Sequence, residues 1–103
     1  MSSAALTEAV YYILLSLIEP MHGYGIMQNV EQLSNGRVKL AAGTLYGAIN
    51  TLLEKGWITA LSGEKDSRKK EYQITEEGKR ILQTELLRLR ELIENGNRIL
   101  EVK

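Results

Sequence analysis

Residues 42–58 read AGTLYGAINTLLEKGWI, and the spacing within them decides the fold. Leu45, Ile49, Leu52 and Leu53 recur at steps of three and four, which places them on one face of a helix over 41–55. Gly56 follows where a left-handed C-terminal glycine belongs, and Trp57 opens a β segment over 57–61, standing between helix and strand as a hinge. The outward face of this helix carries Thr44, Tyr46, Gly47, Asn50, Thr51 and Glu54, which is short-chained, polar and almost uncharged. Asn can bond base edges in the major groove, adenine above all, while Thr and Tyr hydroxyls suit phosphate oxygens or bases. Gly47 permits close approach, although glycine costs about 1 kcal/mol in a helix interior. An ordinary solvated face has the same composition, so this face leaves both readings open.

Upstream, Leu6, Val10, Ile13, Leu14, Leu17 and Ile18 define a helix over 7–18, with Thr7 as cap and Pro20 as terminator. Tyr11, Tyr12 and Leu15 make it apolar on nearly every side, and a helix apolar all round is buried all round. A domain this small has little with which to cover it, so one face is expected to meet a second subunit. A second short helix, over 24–33, follows a turn at His22-Gly23-Tyr24-Gly25 and aligns Ile26, Met27, Val30 and Leu33. Ser34-Asn35-Gly36 ends it.

Downstream, a second β segment over 70–74 is joined to the first by a polar loop too long for a two-residue hairpin turn. Residues 64–70 hold four bases and two acids, with Arg68, Lys69 and Lys70 consecutive. A basic hairpin tip suits phosphate or minor-groove contact. It equally suits a loop kept soluble and unable to pair edge to edge. Thr75, with Glu76 and Glu77 behind it, then opens a long helix toward Leu100. Leu82, Leu86, Leu89, Ile93, Gly96 and Leu100 follow heptad-like spacing along it, a seam for a partner helix. Residues 94–97, Glu-Asn-Gly-Asn, are the place where this helix is expected to kink or fray.

Three helices, a β hairpin and a long helix outline a winged helix-turn-helix, mainly α with a small β hairpin, its second motif helix placed for the major groove. Residues 1–74 read as the DNA-binding domain and 75–103 as a dimerisation helix. The 103-residue chain is one domain's worth, with 44% hydrophobic and 25% charged residues, which excludes a disordered tail or a collagen-like chain. Thirteen bases balance thirteen acids, yet 1–36 carry −3 and 37–80 carry +3, so the basic excess lies in the helix–wing region. Cys is absent, which excludes disulfides, thiolate metal sites and a cysteine nucleophile. The run 9–18 is too short to span a membrane and no base precedes it, so the chain reads as cytoplasmic.

Catalysis finds no support. The single His, His22, lies in a turn between apolar helices and reads as structural. No Ser-His-Asp set, metal-ligand spacing or phosphate-cradling loop occurs, so no enzyme, cofactor or metal is expected.

Three stretches together resemble the PadR family of bacterial transcriptional regulators: YILLSLIEPMHGYGIMQ at 12–28, AGTLYGAINTLLEKGWI at 42–58 and RKKEYQITEEG at 68–78. The absence of a large domain after the final helix is similar to the family's short subclass. The resemblance implies a homodimeric repressor on a palindromic operator, dimerised by the final helix with help from the first. It implies recognition contacts from Thr44, Tyr46 and Gly47, with Asn50 one turn on, and backbone contacts near Tyr24 and Gln28. It implies wing contacts by Arg68, Lys69 and Lys70, and a small aromatic or drug-like effector at or near the dimer interface. The final helix carries no Trp, so a tryptophan stacked on a planar drug is not implied. The expected dimer contacts are Tyr11, Leu15, Leu82, Leu86, Leu89, Ile93 and Leu100. A protein-interaction module docking through the 44–51 face, or a small-molecule-binding dimer without DNA, remains compatible with the residues.

Overall fold

A computed structural model describes residues 5–61 and 70–101. Helices α1 (Glu8–Ser16), α2 (Gly23–Leu33) and α3 (Ala42–Lys55) precede strands β2 (Ile58–Ala60) and β3 (Glu71–Ile74), and α4 (Glu76–Leu100) ends the chain. A two-residue strand β1 (Met21–His22) lies between α1 and α2. The fold is mainly helical with a small antiparallel sheet of order β1-β3-β2. Met21 pairs with Tyr72 and His22 with Glu71, while Ile58, Thr59 and Ala60 pair with Ile74, Gln73 and Tyr72.

Local chemistry sets each boundary. Thr7 caps α1 by accepting from the Val10 N–H, and Thr75 caps α4 by accepting from the Gly78 N–H. His22 caps α2, its Nδ1 accepting from the Gly25 N–H at 3.2 Å, which gives the only His a structural task. The expected turn at 22–25 is therefore the end of β1 and the first turn of α2. Gly56 ends α3 at φ +76°, a left-handed conformation that favours glycine. The expected helix over 7–18 closes earlier, at Ser16, and Ile18 lies half out of the core. The strands are also shorter than the expected 57–61 and 70–74, and Trp57 stands before β2 as the link to α3. Residues 94–97 do not interrupt α4.

The core is formed by Ile13, Leu14 and Leu17 of the first helical segment, Ile26 and Val30 of α2, and Leu45, Ile49 and Leu52 of α3. Ile58, Tyr72, Ile74 and Leu82 close it from the sheet and α4. Full burial of an aliphatic side chain contributes roughly 1.5–3 kcal/mol, so this cluster fixes how α3 is presented. Met27 and Leu53 are half-buried and Leu33 is 43% exposed, so the α2 stripe narrows to Ile26 and Val30. Ser16, buried between α1 and α2, donates to the Tyr12 carbonyl and accepts from Asn29 Nδ2, each at 2.8 Å.

One buried charge has no counterpart in the sequence pattern. Glu85 of α4 is 4% exposed, yet its carboxylate accepts from Arg88 Nε at 2.8 Å and from the Leu6 N–H at 3.3 Å. The Arg88 hydrogen bond holds the Glu85 carboxyl below its ordinary range; burial opposes this, and the Leu6 N–H reinforces it. A group with a depressed folded-state pKa contributes stability above the ordinary carboxylate range and loses it as pH falls through the depressed value. Urea melts should therefore show wild type exceeding Glu85→Gln in stability at neutral pH, with the gap closing toward about pH 3. A gap constant over that range would show that the charge of Glu85 contributes nothing.

Candidate nucleic-acid interface

Helix α3 is anchored on one side by the fully buried Leu45 and Ile49 and presents its opposite side to solvent. Thr44, Gly47, Asn50, Thr51 and Glu54 are all exposed there. Among the described residues no side-chain hydrogen bond engages Thr44 or Asn50, while the Thr51 hydroxyl donates to the Gly47 carbonyl at 3.2 Å. Gly43, which the periodicity of the apolar residues does not single out, joins Gly47 one turn earlier on this face. A Cβ added at either meets nothing within 4 Å. Both glycines have helical φ, so neither packing nor backbone conformation requires them. Their spacing of four was the signal that could have found Gly43.

Tyr46 is placed differently from its neighbours. It is 40% exposed, and a Cβ added to Gly23 would fall 2.2 Å from its hydroxyl oxygen. The ring thus lies over the start of α2, where glycine leaves room. Burial, with the Tyr46 phenol beside it as a smaller cause, raises the Tyr72 hydroxyl above its ordinary pKa. Tyr46 therefore joins α3 to α2 and β3, with part of its ring outside. Tyr24 is 64% exposed on α2, and Gln28 is exposed one turn later on the same side. Lys70 is exposed at the start of β3's approach, and Arg68 and Lys69 lie outside the described residues.

The residues expected at a dimer contact divide into three groups. Leu82 belongs to the core of its own domain at 5% exposure, which removes it from an outward seam. Tyr11, Leu15 and Leu89 are half-buried. Leu86, Ile93 and Leu100 are exposed on α4, with Leu87, Leu92 and Ile99 beside them. Trp57 is half-buried with the Lys55 ammonium 5.1 Å from its ring centroid, a cation–π contact. Among the described residues no group of three metal-ligating side chains forms. No helix among them is long and apolar enough to cross a membrane.

A helix-turn-helix backed by a three-stranded sheet, its second motif helix exposed along one polar face, defines a winged-helix protein. The family model of the transcriptional regulator PadR-like family matches residues 13–84, and the chain belongs to that family. Its members are transcription regulators rather than enzymes. A transcriptional regulator from Clostridium thermocellum is 27% identical, covering 87% of each chain at a TM-score of 0.74. A PadR family regulator from Eggerthella lenta is 26% identical, covering 91% of this chain and 82% of its own at 0.72. Bacillus subtilis PadR, solved in complex with operator DNA, is 25% identical at 0.61, covering 75% of this chain and 45% of its own. A search of curated proteins finds no significant match.

The open glycines of α3 carry a stability consequence. Gly47→Ala should stabilise the folded chain by about 0.5–1 kcal/mol, the usual gain for alanine in a helix interior. Thermal or urea unfolding checks it. A loss of stability would mean that the fold itself needs glycine at this position.

Proposed function

We propose that this chain is a sequence-specific DNA-binding transcriptional regulator that acts in the cytoplasm as a homodimeric repressor released by a small-molecule effector. The observation that carries the reading is the outward face of α3. Thr44 and Asn50 stand exposed, with no side-chain hydrogen bond among the described residues, beside two glycines that packing does not require, on a helix anchored by its buried side. Such a face suits close approach to a groove, and the operator complex of Bacillus subtilis PadR supports DNA as what approaches it.

In this reading α3 enters the major groove, Asn50 takes a base edge, and Thr44 takes a base or phosphate oxygen. Gly47 lets the backbone come close, and the outer part of Tyr46 contributes while its inner part holds the helix in place. Tyr24 and Gln28 reach the phosphate backbone from α2, and Arg68, Lys69 and Lys70 do so from the wing. Residues 1–74 bind DNA and 75–103 dimerise, using Leu86, Leu89, Ile93 and Leu100 with Tyr11 and Leu15. Two recognition helices then face the halves of a palindromic operator. A small aromatic or drug-like effector at the dimer interface releases DNA by binding one inter-subunit geometry more tightly than the other.

Fluorescence anisotropy against DNA from upstream of its own gene, with a scrambled duplex beside it, tests the reading. The native duplex should bind preferentially, with affinity falling as salt rises. Equal binding to both duplexes would move the assignment to a partner-protein or ligand-binding module. Asn50→Ala should cost about 1–3 kcal/mol on the native duplex and little on the scrambled one. Equal losses on both would remove Asn50 from base reading. Arg68→Ala with Lys69→Ala should weaken both duplexes alike and flatten the salt slope by about 0.9 for each phosphate no longer neutralised. An unchanged slope would take the wing out of the interface.

A further inference from the structure

The part of the chain that holds α1, α2 and α3 is not basic. Residues 5–55 carry four acids against three bases, Arg37, Lys39 and Lys55. Two of those bases are engaged within the fold. Arg37 pairs with Glu8 of α1, its Nε donating to the carboxylate at 3.1 Å. Lys55 holds its ammonium over the Trp57 ring. Lys39 is exposed and enters no salt bridge among the described residues. The turn between α2 and α3 fixes where its charge stands. Asn35 at φ +54° and Gly36 at φ +81° reverse the chain after α2. The buried Ser34 hydroxyl donates to the Glu31 carbonyl at 3.2 Å and accepts from the Val38 N–H at 2.9 Å, which fastens the following residues to the end of α2. Burial then alternates over residues 38–41 as along an extended chain: Val38 and Leu40 pack against the core, and Lys39 between them turns to solvent. Three residues span at most about 11 Å, so Lys39 stands beside the start of α3. No acid occupies the first turn of that helix to neutralise it.

We propose that Lys39 binds a phosphate of the DNA strand bordering the major groove that α3 enters. The inference rests on the DNA-binding reading above and adds a contact from the turn, outside α2, α3 and the wing. In a helix-turn-helix the N-terminal residues of the second helix reach the base edges. The segment that leads into this end therefore passes the rim of the groove, where a lysine meets the sugar–phosphate backbone as a point charge. Such a contact fixes the register of the protein on the duplex and carries no sequence information. Arg37 brings the same charge two residues earlier and spends it on Glu8. The turn thus divides its two bases between holding α1 and holding DNA.

Fluorescence anisotropy on the native and scrambled duplexes, repeated from about 50 to 200 mM salt, tests this with Lys39→Ala and Arg37→Ala. The two variants remove the same charge two residues apart. Lys39→Ala should weaken both duplexes by the same factor and flatten the slope of log affinity against log salt by about 0.9, the contribution of one phosphate. Over that range the wild type should lose roughly threefold more affinity than the variant. Lys39→Arg should restore the wild-type slope, and Arg37→Ala should keep it, since Arg37 already faces a carboxylate. An unchanged slope for Lys39→Ala on a duplex that the wild type binds would overturn the inference and leave DNA binding intact. Equal flattening by Lys39→Ala and Arg37→Ala would also overturn it, because net charge rather than a contact would then set the slope. A loss confined to the native duplex would make Lys39 a reader of bases and overturn the phosphate assignment. A wild type that binds neither duplex would remove the DNA-binding reading and this contact together.

Discussion

The joint around Thr75 sets the geometry on which everything else depends. Its N–H donates to the Trp57 carbonyl at 2.9 Å, its hydroxyl donates to the Gly56 carbonyl at 2.7 Å, and the same oxygen accepts from the Gly78 N–H. Gly78 then passes so close that a Cβ there would lie 2.2 Å from the Trp57 oxygen. The end of α3, the start of β2 and the start of α4 are thus held within a few ångströms of one another. In the proposed dimer, the spacing of the two α3 helices is therefore set by one threonine, two glycines and a tryptophan carbonyl.

The chain divides its chemistry between two regions, α3 and the outer part of α4. At the first, α3 leaves Thr44 and Asn50 exposed with no side-chain hydrogen bond among the described residues, beside glycines that packing does not require. At the other, α4 extends 25 residues, longer than its own core can cover, and leaves apolar side chains outside. Neither feature favours the isolated subunit. The exposed face of α3 fits the DNA-binding regulators of the family, and the apolar outer part of α4 fits the homodimer proposed above.

The helices were legible from sequence because their apolar residues recur at helical spacing and their caps are ordinary ones. Thr7, Thr75 and Gly56 act where composition places them. Strand β1 was not legible, since two residues cannot display alternation and their partner, β3, is about fifty residues away. Glu85 was hidden for a similar reason: a glutamate between Leu82 and Leu86 reads as a solvated position until Arg88 and the Leu6 N–H are brought to it by the fold. Leu82 and Leu86 look alike in a heptad count, and only the placement of α4 on the core separates the buried one from the exposed one. The outward face of α3 is exposed as its spacing implies, but the inward half of Tyr46's role depends on Gly23 lying opposite it.

Strand β1 has a kinetic meaning as well as a static one. By pairing Met21 with Tyr72 it closes a long stretch of chain, containing α2, α3 and the wing, into a ring fastened by a two-residue ladder. Contacts of such high sequence separation are slow to form, because loop-closure entropy is lost before any native contact offsets it. Among the described strand pairings, that of β1 with β3 therefore closes the longest loop. The outer part of α4, by contrast, takes part in no strand pairing among the described residues and carries Leu92, Ile93, Ile99 and Leu100 exposed.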